Sequence, residues 1–246
     1  MPVHRTSLTV FQNWEEKSVN YKRIVPNTIS GISLVLGVFS IFYTQEQNYF
    51  MASICIILSV VADSLDGRAA RALGVQGPFG VEMDSLCDLG AFGVAPAILI
   101  YQFALTDLGW WGKIIAGLYT FFGAMRLARF NVNTSVVHGY FQGMPIPAGA
   151  CCIATYVISG FNFTPFVAGI MTLAVALILY SNVKFPDFKG KGNPMYRYPV
   201  ILAVLIGAYL LWQRPSGWPF VGMFTYFIAG IINAVYCLLF VKEKEN

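Results

Sequence analysis

The chain has 246 residues, 57% of them hydrophobic and only 11% charged, with a mean hydropathy of +0.62. A water-facing surface needs about twice that charged fraction, so a soluble globule is excluded and the charges must be gathered at chain ends and special sites, as in a bilayer protein. The formal net charge of +4 suits an anionic membrane face rather than nucleic acid, and no linker, repeat or low-complexity stretch divides residues 1–246 into separate domains.

Residues 1–23 lack the apolar core of a signal peptide. Leu8, Phe11 and Trp14 can share one helical face and lie in the interface; a free cytoplasmic tail is the alternative. Eight apolar stretches follow, at roughly 27–44, 48–72, 79–105, 110–130, 145–160, 165–182, 199–212 and 218–240. Their runs are long and do not alternate, which predicts helices and an all-α polytopic membrane protein. Pro26, Pro78, Pro145, Pro165 and Pro219 stand near span starts, where a missing N–H costs little. The five cysteines, Cys55, Cys87, Cys151, Cys152 and Cys237, fall inside apolar stretches without metal-site spacing, and read as small packing residues rather than a disulfide framework.

Lys and Arg set the expected orientation. With eight spans, 14 of the 16 fall on one side, from Arg5, Lys17, Lys22 and Arg23 through Arg68, Arg71, Arg126 and Arg129 to Lys184, Lys189, Lys191, Arg197, Lys242 and Lys244. Only Lys113 and Arg214 fall on the other. Both termini are therefore expected in the cytoplasm. His138 lies in a loop and reads as inert, and the 184–197 cations read as solvated charges facing acidic lipid heads.

Four of the six aspartates, Asp63, Asp66, Asp84 and Asp88, lie in or against the second and third spans. A charge at membrane depth costs several kcal/mol, of order ~3 to ~10, so bare carboxylates there need a hydrated cavity or cations. Asp63, Asp66 and Ala70 share one helix face, and Gly80, Asp84 and Asp88 share another. The short turn at 73–78 lets the two faces meet near the cytoplasmic surface. Four oxygen donors suit two hard divalent cations, Mg²⁺ or Mn²⁺, rather than zinc. Gly67 and Gly80 leave room for a ligand, and Arg71 can pair with a phosphate. Transporters also bury acids, so charge alone leaves a cation-coupled transporter open.

These residues resemble a family signature. Asp63-Ser-Leu-Asp66-Gly67-Arg-Ala-Ala70-Arg71, eight further residues, then Gly80-Val-Glu-Met-Asp84-Ser-Leu-Cys-Asp88 is similar at every defined position to the motif of the CDP-alcohol phosphotransferases, D-x-x-D-G-x-x-A-R followed by G-x-x-x-D-x-x-x-D. The resemblance implies that Asp63, Asp66, Asp84 and Asp88 ligate two divalent cations, that Asp88 is also the general base, and that Asp63, Gly67, Ala70, Arg71 and Gly80 line the CDP-lipid site. It also implies a six-helix core at 24–182, with a basic loop and two added helices at 183–246, and a homodimer. The flanks resemble the phosphatidylserine synthases of that family: Gly77-Pro78-Phe79-Gly80, Met83 through Pro96, Arg126-Leu127-Ala128-Arg129-Phe130-Asn131 and Phe141-Gln142-Gly143-Met144-Pro145-Ile146-Pro147. The implied substrates are CDP-diacylglycerol and L-serine, with CMP released. Arg126, Arg129 and Asn131 are the candidate serine-binding residues, because an arginine fork suits a carboxylate; for the arginines, positive-inside anchoring is the alternative. Another acceptor, glycerol 3-phosphate, inositol phosphate or choline, and an ether-lipid donor remain open.

Overall fold

Among the described residues, eight helical segments stand where eight apolar stretches were expected. The computed structural model describes residues 22, 24–75, 77–133, 140–186, 197–213 and 215–240. The interfacial face of Leu8, Phe11 and Trp14, the loop residue His138, and Lys189 and Lys191 lie outside the described residues. The helices are α1 (Ile24–Gln45), α2 (Tyr49–Leu73), α3 (Pro78–Leu108), α4 (Trp110–Asn133), α5 (Ile146–Ile158), α6 (Pro165–Tyr180), α7 (Arg197–Gln213) and α8 (Trp218–Phe240). Among them α1, α2, α3 and the stretch Pro215–Asn233 are long and apolar enough to cross a membrane, while 146–158, 165–180 and 198–213 are apolar but shorter. The chain is an all-α polytopic membrane protein.

Two features depart from eight plain rods. Tyr140–Gln142 (β1) pairs antiparallel with Lys184–Pro186 (β2), Phe141 opposite Phe185. This three-residue ribbon joins the chain before α5 to the chain after α6 without altering the all-α class. In α3 the regular helix also widens into π-helix at Leu89–Val94 and again at Tyr101–Leu105. Pro96 has no N–H to offer the carbonyl one turn back, so the local ladder cannot continue unchanged.

Small residues set how closely the helices pack. On α1, Pro26, Ser30, Ser33, Gly37, Ser40 and Thr44 form one buried stripe, spaced by four and three so that they line one face. That face lies along α2 and the first half of α3. A Cβ on Gly37 would fall 2.7 Å from the Ala91 Cα, so only glycine permits this approach. In lipid such close packing replaces the hydrophobic drive of water. Ser33 adds a hydroxyl contact to Ser59 at 3.0 Å.

The core runs through the second half of α3, α4, α5 and α6, with Phe92, Leu99, Ile100, Tyr119, Ile153 and Val175 among its buried side chains. α7 packs mainly on α8, and α8 on α5. At the end where α5 stops and α8 starts, Tyr156 stacks on Phe163 at 5.1 Å and meets Phe220 at 5.6 Å. This aromatic cluster ties α8 to the bundle at the end away from the aspartates.

Candidate active site

The α2–α3 hairpin positions the acids. α2 ends on Gly74 at φ 62°, the left-handed conformation that lets a helix close. Its N–H donates to the Arg71 carbonyl at 3.2 Å, and Val75 N–H donates to Ala70 O at 3.1 Å. Gly77 is extended and Pro78 opens α3 at its first turn. The hairpin therefore turns within a few residues, and the last turns of α2 face the first turns of α3.

Across that gap the ligand atoms of Asp63, Asp66 and Asp84 lie within 4.8 Å of one another. Asp88, one turn further along α3, comes within side-chain hydrogen-bonding reach of Asp63. Asp66 and Asp88 are buried, at 6% and 8% exposure. Carboxylates this close repel unless protons or cations stand between them. The donor set is all oxygen, which fits a hard divalent cation and excludes a soft one. The aspartates thus meet across the hairpin, three in one cluster and the fourth beside it.

The remaining expected residues divide by place. Gly67 lies under Arg71: a Cβ there would stand 3.4 Å from Arg71 Nη1. Ala70 is half-buried in the same last turns of α2, and Arg68 and Arg71 are exposed. Gly80 faces α1, where a Cβ would stand 3.6 Å from Asn27 Oδ1.

On α4, Arg126 is buried at 8% exposure and within electrostatic reach of Asp88 and Asp63. Its guanidinium lies over the Phe130 ring at 5.7 Å. Arg129 points to a different place. Its Nη1 donates to Tyr180 O at 2.8 Å and Asn182 Oδ1 at 3.2 Å, and its Nη2 donates to Ser181 O at 2.9 Å. It also lies over the Tyr180 ring at 4.7 Å. Arg129 thus caps the C-terminus of α6, where a cation meets the helix dipole. Gly143 docks on the same end, at φ 76°, with its N–H donating to Val183 O at 2.8 Å. Asn131 Nδ2 donates to Ser85 Oγ at 3.0 Å, which ties α4 to the acidic turns of α3.

Two α1 residues escaped sequence reasoning. Ser30 Oγ donates to Asp66 Oδ2 at 2.6 Å and holds that carboxylate in place, as outer-shell partners do for metal ligands. Asn27 presents its amide oxygen at Gly80. Their signal was the polar i, i+3 pair inside an apolar run, Asn27 and Ser30.

The chain is similar to proteins of one known family. The model of the family described as CDP-alcohol phosphatidyltransferase matches residues 23–184. A Helicobacter pylori protein named CDP-diacylglycerol--serine O-phosphatidyltransferase is 34% identical over 237 residues, which are 93% of this chain and 98% of that protein. A Bacillus subtilis protein of the same name is 35% identical over 165 residues, 67% of this chain and 91% of that protein. An archaetidylserine synthase of Methanothermobacter thermautotrophicus is 35% identical over 180 residues, 72% of this chain and 76% of that protein.

Proposed function

Because the chain belongs to the CDP-alcohol phosphatidyltransferase family, we propose that it transfers the phosphatidyl group of CDP-diacylglycerol to L-serine and releases CMP. The observation that carries the chemistry is the Asp63, Asp66 and Asp84 cluster, with Asp88 and the buried Arg126 beside it. The names of the relatives from Helicobacter pylori and Bacillus subtilis support serine as acceptor.

In this reading Asp63, Asp66, Asp84 and Asp88 hold two divalent cations, Mg²⁺ or Mn²⁺. Bound there, such ions would offset negative charge on the diphosphate. Gly67, Ala70 and Gly80 leave space for the cytidine diphosphate, and Arg71 reaches a phosphate from the rim. Asp88 accepts the serine hydroxyl proton as that oxygen bonds to the phosphatidyl phosphorus. The bond from phosphorus to the CMP oxygen breaks in line with the attack. Asp88 suits the base role because it is buried and lies next to a cation, Arg126. No covalent enzyme intermediate is needed.

Of the two arginines, Arg126 is the better placed to receive the serine carboxylate, since Arg129 uses its donors on the α6 terminus. Asn131 then serves by fixing α4 against Ser85. We further place both termini and the site on the cytoplasmic side, supported by the Lys and Arg distribution. The division into a 24–182 core and a 183–246 extension is supported by a family match that ends at residue 184. A homodimer belongs to the same reading, and the mass of the detergent-solubilised protein tests it.

The test is CMP release by purified protein from CDP-diacylglycerol with a panel of alcohols. Serine-dependent release is expected, with glycerol 3-phosphate, inositol phosphate and choline inactive; release with one of those and not serine would overturn the acceptor. A second reading, an ether-lipid donor, is favoured by the archaetidylserine synthase relative and is separated by offering both donors.

A further inference from the structure

The π-turn directly after Asp88 is held by two hydroxyls that the proposed chemistry does not use. Tyr119, fully buried on α4, donates its hydroxyl to the Phe92 carbonyl at 3.1 Å. Its neighbour Thr120 donates to the Gly93 carbonyl at 3.2 Å, and shares that hydroxyl with Ala116 O at 3.4 Å. Ala95 N–H reaches back five residues to Gly90 O, and Pro96 has no N–H to give. At membrane depth no water satisfies a carbonyl released from the ladder, so the α4 hydroxyls take that place. Gly149 on α5 keeps the space open: a Cβ there would stand 3.2 Å from Tyr119 Oη.

The consequence reaches the site through helix phase. An i→i+5 bond carries one residue more per turn than an α bond, and one residue is about 100° of rotation. If the turn relaxed to α, the acidic turns carrying Asp84 and Asp88 would swing relative to the apolar half of α3. That half is locked in the core by Leu99 and Ile100, both fully buried, so the acidic half would move. We propose that Tyr119 and Thr120 are positioning residues that hold the π-turn and thereby aim Asp88 at the acceptor hydroxyl. This rests on the function proposed above and adds to it a latch on α4.

The test compares kcat, serine KM and donor KM for CMP release in wild type, Tyr119→Phe/Thr120→Val, Thr120→Val, Thr120→Ser and a core control, Phe220→Leu in the aromatic cluster away from the aspartates. A displaced base costs turnover on the order of 10²-fold, so the double variant is expected to lose about that in kcat with both KM values near wild type. Thr120→Ser keeps the hydroxyl and is expected to keep wild-type kcat, while Thr120→Val loses part of it. Phe220→Leu is expected to lower the thermal midpoint and leave kcat alone. A folded double variant at wild-type kcat overturns the proposal, as does Thr120→Ser falling with Thr120→Val, or a kcat loss in Phe220→Leu at the same loss of thermal stability. Should the double variant fail to fold, Thr120→Val against Thr120→Ser decides by the same rule. A wild type that releases no CMP with any alcohol overturns this proposal together with the function; an active wild type with unaffected variants overturns this one alone.

Discussion

Asp88 and Asp63 should answer differently to the same substitution. Asp88→Asn keeps shape and removes the base, so turnover is expected to fall about 10²–10⁴-fold while metal and donor binding persist in part. Asp63→Asn, within the three-aspartate cluster, is expected to raise the metal concentration needed for half-activity. Metal titration of CMP release separates the two, and an Asp88→Asn enzyme close to wild type would remove Asp88 from the base role. Ser30→Ala deletes the 2.6 Å donor to Asp66; loss of an outer-shell partner typically weakens metal binding or activity about 10–100-fold, and the same titration reads it. For the acceptor, Arg126→Lys keeps charge but loses the fork, and is expected to raise serine KM with donor KM unchanged. Arg129→Lys is expected to lower the thermal midpoint instead, because its donors hold the α6 end. A serine KM unchanged in Arg126→Lys would sink the carboxylate contact. The aspartates were legible because a charge inside an apolar run has few explanations. Ser30 was not, since a helical serine ordinarily bonds its own i−4 carbonyl, and Ser30 does that too, to Pro26 O at 3.1 Å.

At the scale of elements, apolar length carries most of the information. It located all eight helices, and the glycine and proline between α2 and α3 located the turn that brings the acids together. What length cannot show is a change of helix type. Gly90 and Gly93 ahead of Pro96 read only as small residues in a span, whereas the π-turn depends on hydroxyls of α4, 27 residues away in sequence. The β1–β2 ribbon was equally hidden: three residues a side, one of them Pro186, leave no alternating pattern to read. The ribbon and Arg129 converge on the α6 terminus, which gives the stretch around Gly143 a structural role. Gly143→Ala would put a side chain on a φ of 76°, facing the Leu179 carbonyl. Backbone strain of that kind costs of order 1–3 kcal/mol, so thermal unfolding in detergent should shift down measurably, with serine KM unaffected. A midpoint equal to wild type would mean that this end of α6 tolerates rearrangement.

For the whole molecule, composition alone put the chain in a bilayer, and a 26-residue stretch, 63–88, carried the chemistry. The packing order was not legible, because nothing in α7 or α8 says that α8 rests on α5 through the aromatic cluster around Phe220. The family match spans residues 23–184, which hold the first six helices. The central claim is that a divalent cation held by the aspartates between α2 and α3 drives transfer of the phosphatidyl group to serine. The most direct test is mass-spectrometric detection of phosphatidylserine formed from CDP-diacylglycerol and serine by purified protein stripped with EDTA, before and after Mg²⁺ or Mn²⁺ is restored. The expected result is no product in chelator and recovery with either ion; full product formation in chelator would contradict the account.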